Sequence, residues 1–327
     1  MRVKFSEYYQ PSESDLKDMW KEGIFVFDAN VLLDLHRFSE DTVNSIMSIF
    51  ENIKDRIWIP YQASKEYHNN LCSVIKEQCK NYESSIRNLI EFKKQIEMKN
   101  CHPFLNKSEQ EEICSICNKY EKILKDKQDE VRKKILTNNI KEALADLLEN
   151  KIGDELTAEE INEIIKQGEV RYKNRIPPGY KDQDKQNPEK YGDLIIWKEI
   201  LKKNKDNNKP IIFITRDTKE DWFINEMGYT VGLRTELIKE FRGVNSNLIY
   251  GYTLDRFLKY ASEYIENTKI EEKSIEEVIN YIKNIGLGGD NNEILYSASS
   301  VEGHVSPNEN QVDGLISDSD NSSSIDE

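Results

Sequence analysis

The chain has 327 residues, is 37% hydrophobic and 32% charged, and carries a net charge of −14. That is long enough for one large or two modest domains with a substantial core, in a polar but still globular class. No apolar run approaches a membrane span and the opening MRVKFSEYYQ lacks the apolar core of a signal peptide, so the expectation is a cytoplasmic protein with no membrane partner.

The acidity is unevenly spread. After Lys283 there is no Lys or Arg, while nine acids follow, so the chain up to that point carries only −5. A nearly balanced body does not exclude a polyanionic substrate. The five cysteines, Cys72, Cys79, Cys101, Cys114 and Cys117, form no even framework, which makes reduced thiols the default.

In chain order, Asp15, Leu16, Met19 and Trp20 have helical spacing and predict an N-terminal helix packed on a sheet. Ile24–Phe27 is a run of apolar β-formers that stops on Asp28, and Val31, Leu32, Leu33 and Leu35 then begin a helical apolar face. A strand buried on both faces is the habit of parallel sheets, and Asp28 falls at the carboxyl edge where such sheets place their sites. Residues 39–53 read as an amphipathic helix, and RIWIP (56–60) as a second strand stopped by Pro60. The next helix opens over 61–67, with Ser64 as its expected cap and Glu66 in its first turn.

From there to about residue 168 the chain is rich in Lys, Glu, Asn and Ile and lacks strand-like runs. It predicts long helices forming a hairpin or small bundle, broken near 100–108 and 150–157, with Ile86, Leu89, Ile90, Ile96, Leu144 and Leu147 among its seam residues. A lid or a partner surface is its plainest role. Residues 176–187 (IPPGYKDQDKQN) are turn chemistry, and Tyr191-Gly192-Asp193 leads into an apolar helix with an acid in its first turn. PIIFIT (210–215) is another buried strand, followed by Arg216-Asp217, and strand patterns recur at 229–233 and 248–252. Strands alternating with helices imply a mostly parallel α/β sheet. The expected organisation is an α/β domain in two parts, 1–66 and 171–285, a helical insertion over 67–170, and a disordered acidic tail over 286–327.

Four acids stand where such a fold would gather them. Asp28 and Asp217 end two strands, and Glu66 and Asp193 sit in first helical turns expected at the same edge. Four carboxylates together repel one another unless cations neutralise them, and hard oxygen ligands suit Mg²⁺ or Mn²⁺, ions that pair with phosphate oxygens.

FDANVLLDL, the KEY acid Glu66, the block PPGYKDQDK to KYGDLIIW, and FITRDTKEDW together resemble the PIN-like nucleases of bacteria, relatives of PIN-domain toxins that carry a long helical insertion. The resemblance runs from Trp20 to Tyr260. It implies a single-strand-preferring ribonuclease or structure-dependent nuclease, RNA rather than DNA, in a toxin or antiviral-defence setting. It makes Asp28, Glu66, Asp193 and Asp217 the Mg²⁺- or Mn²⁺-binding acids, with Asn30, Asp182 and Asp184 as candidate supporting groups and Lys181, Lys185 and Arg234 as candidate phosphate contacts.

Each acid alone has a plainer reading. Asp28 fits a helix cap, Glu66 a solvated surface, Asp193 a dipole partner, Asp217 a turn residue, and Asp182 and Asp184 a loop surface. Cys114 and Cys117 form a CxxC near Cys101-His102, but without a second CxxC, and they read first as small core residues. Two other classes remain. A HAD-type phosphohydrolase would want a second Asp where Asn30 stands. A catalytically silent PIN-shaped module would bind a protein partner through the helical insertion, and self-association stays open.

Overall fold

Two apolar runs separated by nearly 190 residues pair to make the centre of the molecule. The computed structural model describes residues 1–98, 105–227, 229–266 and 268–286. The expected tail after Gly286, and Cys101 with His102, lie outside the described residues.

Helix α1 (Glu13–Glu22) starts from a reciprocal cap between Ser12 and Asp15 and buries Met19 and Trp20. Strand β1 (Ile24–Phe27) is buried throughout, and the short helix α2 (Ala29–Asp34) follows directly from Asp28. Helix α3 (Glu40–Asn52), capped by Ser39, leads to the brief strand β2 (Ile57–Trp58). Helix α4 (Tyr61–Glu97) is 37 residues long, about 55 Å at the usual rise, and pairs with α5 (Lys107–Lys133) as a hairpin. Then come α6 (Asn139–Leu147), α7 (Ala158–Lys173), α8 (Gly192–Asn207) and β3 (Ile211–Thr215). The chain continues through β4 (Phe223–Glu226), β5 (Tyr229–Leu233), α9 (Thr235–Val244), β6 (Ile249–Thr253), α10 (Leu254–Tyr264) and α11 (Glu272–Gly286).

The main sheet is parallel, in the order β2-β1-β3-β6, with helices flanking it. Its register sets Phe27 opposite Ile214 and Thr215 opposite Thr253. The chain leaves β1 toward β2 on one side, while β3 lies on the other. The carboxyl ends of β1 and β3 therefore flank a topological switch point, the place where parallel sheets open a crevice. Under the sheet, Trp20 stacks on Phe257 and Tyr264 with ring centroids 5.6 and 5.4 Å apart, and its indole N–H donates to Tyr252 Oη.

Two local expectations change. The run at 229–233 does not extend the parallel sheet: β5 pairs antiparallel with β4, because the connection between them is too short for a parallel crossover. Nor does Ser64 cap α4. That helix begins at Tyr61, three residues earlier, and its first amide groups are met from outside the helix by Glu199 on α8. The Glu199 carboxylate accepts hydrogen bonds from the backbone N–H groups of Tyr61 and Gln62. Glu66 therefore lies in the second turn, and α4 runs unbroken across residues 66 and 67. Leu144, Leu147, Leu148, Leu156 and Ile164 join the same apolar core as the strands, so the chain after α5 packs back onto the sheet domain.

Glu199 is buried, and burial pushes its carboxyl up to about 7. Replacing it with Ala removes the side-chain acceptor that meets the α4 start. The expected cost is about 1–2 kcal/mol of unfolding free energy, measured by urea denaturation, with Glu199→Gln recovering most of it because an amide oxygen still accepts both hydrogen bonds.

Candidate active site

Asp28 prolongs β1 by one residue: its backbone N–H donates to Ile214 O across the sheet. Its carboxylate is buried, and both oxygens accept hydrogen bonds. Oδ1 accepts from Ala29 N (2.7 Å), and Oδ2 accepts from Asn30 Nδ2 (2.6 Å) and from the Thr215 hydroxyl (2.7 Å). Thr215, the last residue of β3, is thus tied to the acid that ends β1. Its Oγ1 also accepts from Asn30 Nδ2 (3.0 Å) and from Asp217 N (3.0 Å). Asn30 Oδ1 accepts from Arg216 N, which closes the knot. The cap and turn readings of Asp28 and Asp217 are both realised in the structure, since Asp217 Oδ1 accepts from Lys219 N (2.9 Å) as in an Asx-turn.

Asp193 and Glu66 approach from the helices. Asp193 sits in the first turn of α8, and its Oδ2 is sealed from solvent with no hydrogen-bond partner. Gly192, just before it, has no side chain for a physical reason: a Cβ there would lie 2.5 Å from Glu66 Oε1. The glycine lets the Glu66 carboxylate close on the start of α8, where helix N–H groups favour negative charge. Glu66 Oε1 accepts from Gln62 Nε2 (2.7 Å).

Asp182 comes from the PPGYKD loop. Asp221, wholly buried beneath that loop, accepts from Gly179 N (3.1 Å) and Lys181 N (3.0 Å). Gly179 has φ of +89°, and a Cβ on it would strike Tyr172 Oη at 2.3 Å, so the turn demands glycine. Asp182 is thereby held beside Lys185 (2.7 Å) and Lys219 (3.1 Å). A cavity of about 470 Å³ opens beside these groups, lined by Tyr61, Gln62, Glu66, Asp182, Lys185 and Asp193 among others.

The acids sense one another. Burial, with the charges of Asp217, Asp28 and Asp182, raises Asp193 well above the ordinary aspartate range. Burial, with Asp217, raises Asp28 against the opposing Thr215 hydrogen bond. Burial, with the charges of Asp28 and Asp182, pushes Glu66 up to about 7. Asp182 goes the other way: burial raises it, but the Lys185 and Lys219 ammonium groups outweigh that and hold it low. Among the described residues, no three His, Cys, Asp or Glu side chains already stand as a metal-ligand cluster. In the same place Lys219 Nζ lies 2.8 Å from Asp217 Oδ2 and 3.1 Å from Asp182 Oδ1, with Asp193 also acting on it.

The structure therefore gathers Asp28, Glu66, Asp193, Asp217, Asn30 and Asp182 at one edge. It leaves Asp184 exposed on the loop. Lys181 pairs with Glu220 (2.8 Å) and Arg234 with Glu236 (2.6 Å), whereas Lys185 reaches the cavity. His36, single and near the site in sequence, is a buried core residue against Tyr67 Oη (3.0 Å), and burial pushes it down to about 4. Four participants carry no signal of their own in sequence: Thr215, Lys219, Asp221 and Glu199. The Asp217, Lys219, Asp221 alternation within RDTKED is the one pattern that marks two of them.

Because the folded Glu66 carboxyl ionises near 7 rather than near 4.5, its contribution to stability is complete below the unfolded value and is lost as pH rises toward 7. In metal-free buffer Glu66→Gln therefore melts with wild type at about pH 4.5 and above it by pH 7.5. Melting curves across that range check the widening gap; a constant gap removes the burial argument.

A family model described as a PIN-like domain matches residues 24–237, from the start of β1 into α9. No curated protein and no solved structure gives a significant match. No helix among the described residues is long and apolar enough to cross a membrane. With two thirds of its length matched, and with the parallel sheet that carries these acids at its carboxyl edge, the chain belongs to the PIN-like domain family, which has a nuclease-type fold.

Proposed function

We propose that the protein is a metal-dependent endonuclease that hydrolyses phosphodiester bonds, with RNA as its first substrate, in a toxin or antiviral-defence role. The observation that carries this reading is Asp193 Oδ2, a buried carboxylate oxygen with no hydrogen-bond partner, set among acids that raise one another's proton affinity. Such an arrangement costs free energy unless positive charge enters it. The donors are all hard oxygens, which fits Mg²⁺ or Mn²⁺. Asp28, Asp193, Asp217 and Glu66 would hold the ion, with Asp182 at the margin. When bound, the ion supplies positive charge that stabilises the phosphate and favours ionisation of the attacking water.

The chain's own groups do the rest. Thr215 and Asn30 fix the Asp28 rotamer, so one carboxylate is aimed before any ligand arrives. Asp221 and Gly179 hold the loop that brings Asp182 and Lys185 to the cavity. Lys185 is the phosphate contact of first choice, because it lines the cavity beside Glu66 and Asp193 while paired to Asp182, whereas Lys181 and Arg234 pair with Glu220 and Glu236 away from it. The α4–α5 hairpin grows from the same helix that carries Glu66, so a protein or nucleic acid gripped along it would be delivered beside the site.

One observation favours a second reading. Lys219 already neutralises Asp217 and Asp182, as it would in a catalytically silent module that works through binding alone.

Cleavage of single-stranded RNA, tRNA and single-stranded DNA with Mn²⁺, Mg²⁺ or EDTA separates the two. Wild type is expected to cut RNA only with metal, and Asp193→Asn to lose about a hundredfold or more in rate. No cutting by wild type under any condition supports the silent module; equal cutting by both proteins sinks the assignment of Asp193. Ion binding requires an ionised Glu66, so Mn²⁺ affinity measured by calorimetry should rise from pH 6 to pH 8.

A further inference from the structure

We propose that Lys219 is a resident counter-ion of the acid cluster, one that a divalent cation must displace to bind. Loading of the metal and release of a free ammonium at the mouth of the site are then a single event. The inference rests on the metal-dependent reading above and concerns only what this lysine does toward the ion.

The geometry is specific to this side chain. Lys219 Nζ bridges two segments that meet only in the folded protein, Asp217 after β3 and Asp182 on the PPGYKD loop, at 2.8 and 3.1 Å. Its backbone is pinned, with Lys219 N held by Asp217 Oδ1 and the neighbouring Thr218 O accepting from Asn225 Nδ2 (2.6 Å). The four-carbon stem is not pinned. The side chain is 38% exposed, so the ammonium can swing to solvent while the main chain stays in place. Lys185 provides the contrast: it meets Asp182 alone, through the other carboxylate oxygen.

Burying several carboxylates together is unfavourable without compensating charge. Lys219 supplies that compensation in the metal-free protein, where its ammonium feels Asp217, Asp193 and Asp182 at once. A divalent ion among the same acids competes with the ammonium for their oxygens, since two cations so close repel strongly. Displacement follows. The freed ammonium, still tethered at the edge of the crevice, is then available to a phosphate oxygen. The cation thus costs more to bind than a bare acid cluster would suggest, and the empty site is more stable than one.

Calorimetric titration with MnCl₂ and thermal melting in EDTA test this in wild type, Lys219→Met and Lys219→Arg. Lys219→Met keeps the stem and removes the charge. It should bind Mn²⁺ at least about tenfold more tightly than wild type, melt lower in EDTA, and gain more from added Mn²⁺. Lys219→Arg keeps the charge and should stay near wild type in both. Unchanged or weaker Mn²⁺ binding by Lys219→Met overturns the inference and leaves the nuclease reading standing. If none of the three binds Mn²⁺, the metal-dependent reading falls and the displacement inference falls with it.

Discussion

The hydroxyl of Thr215 donating to the carboxylate of Asp28 is the contact on which the rest of the site depends. It joins the last residue of one central strand to the first residue beyond its neighbour, and it exists only because β1 and β3 pair in parallel with Phe27 opposite Ile214. A shift of that register by one residue would turn Thr215 to the opposite face and leave Asp28 buried without its donor. Asn30 and Asp217 N then build on the same two oxygens, so four residues from two distant segments share one hydrogen-bonded knot.

Around this knot the helices are joined end to side. Glu199 of α8 caps the start of α4, and Glu66 of α4 lies against the start of α8 where Gly192 leaves room. Each helix thus supplies an acid to the beginning of the other, in addition to the apolar core both share with the strands. The 37-residue length of α4 makes this more than local bracing. Glu66 and the α4 arm of the hairpin with α5 belong to one continuous helix.

The energetics run against stability at the same spot. Asp28, Asp193 and Glu66 are all pushed toward their neutral forms by burial and by each other, while Asp221 and Asp193 each keep one buried oxygen without a partner. A chain selected for stability alone would place apolar groups there. The core beneath, with Trp20 stacked between Phe257 and Tyr264, provides the burial that offsets this concentration of charge.

Much of this was legible in the residues before any coordinates. Apolar runs ending on Asp28 and just before Asp217 identify parallel strands and their carboxyl edge, because burial on both faces demands continuous hydrophobicity. The order of the motifs identifies the family. Pro-Pro-Gly before Tyr180 marks a tight turn, whereas the close approach that Gly192 permits to Glu66 shows only in the folded protein. What the chain alone left undecided are interactions between segments far apart in sequence. The antiparallel pairing of β4 with β5, the capping of α4 by Glu199, the burial of Asp221 under the loop, and Lys219 between two acids each depend on which segments become neighbours. A lysine or a glutamate reads as solvated surface from local pattern, since only its partner's position distinguishes a counter-ion or a cap from a charge in water. Strand and helix were therefore legible in local hydrophobic periodicity and turn chemistry, whereas the electrostatic state of the acid cluster depends on the tertiary fold, which brings like charges close together and sets Lys219 between two of them.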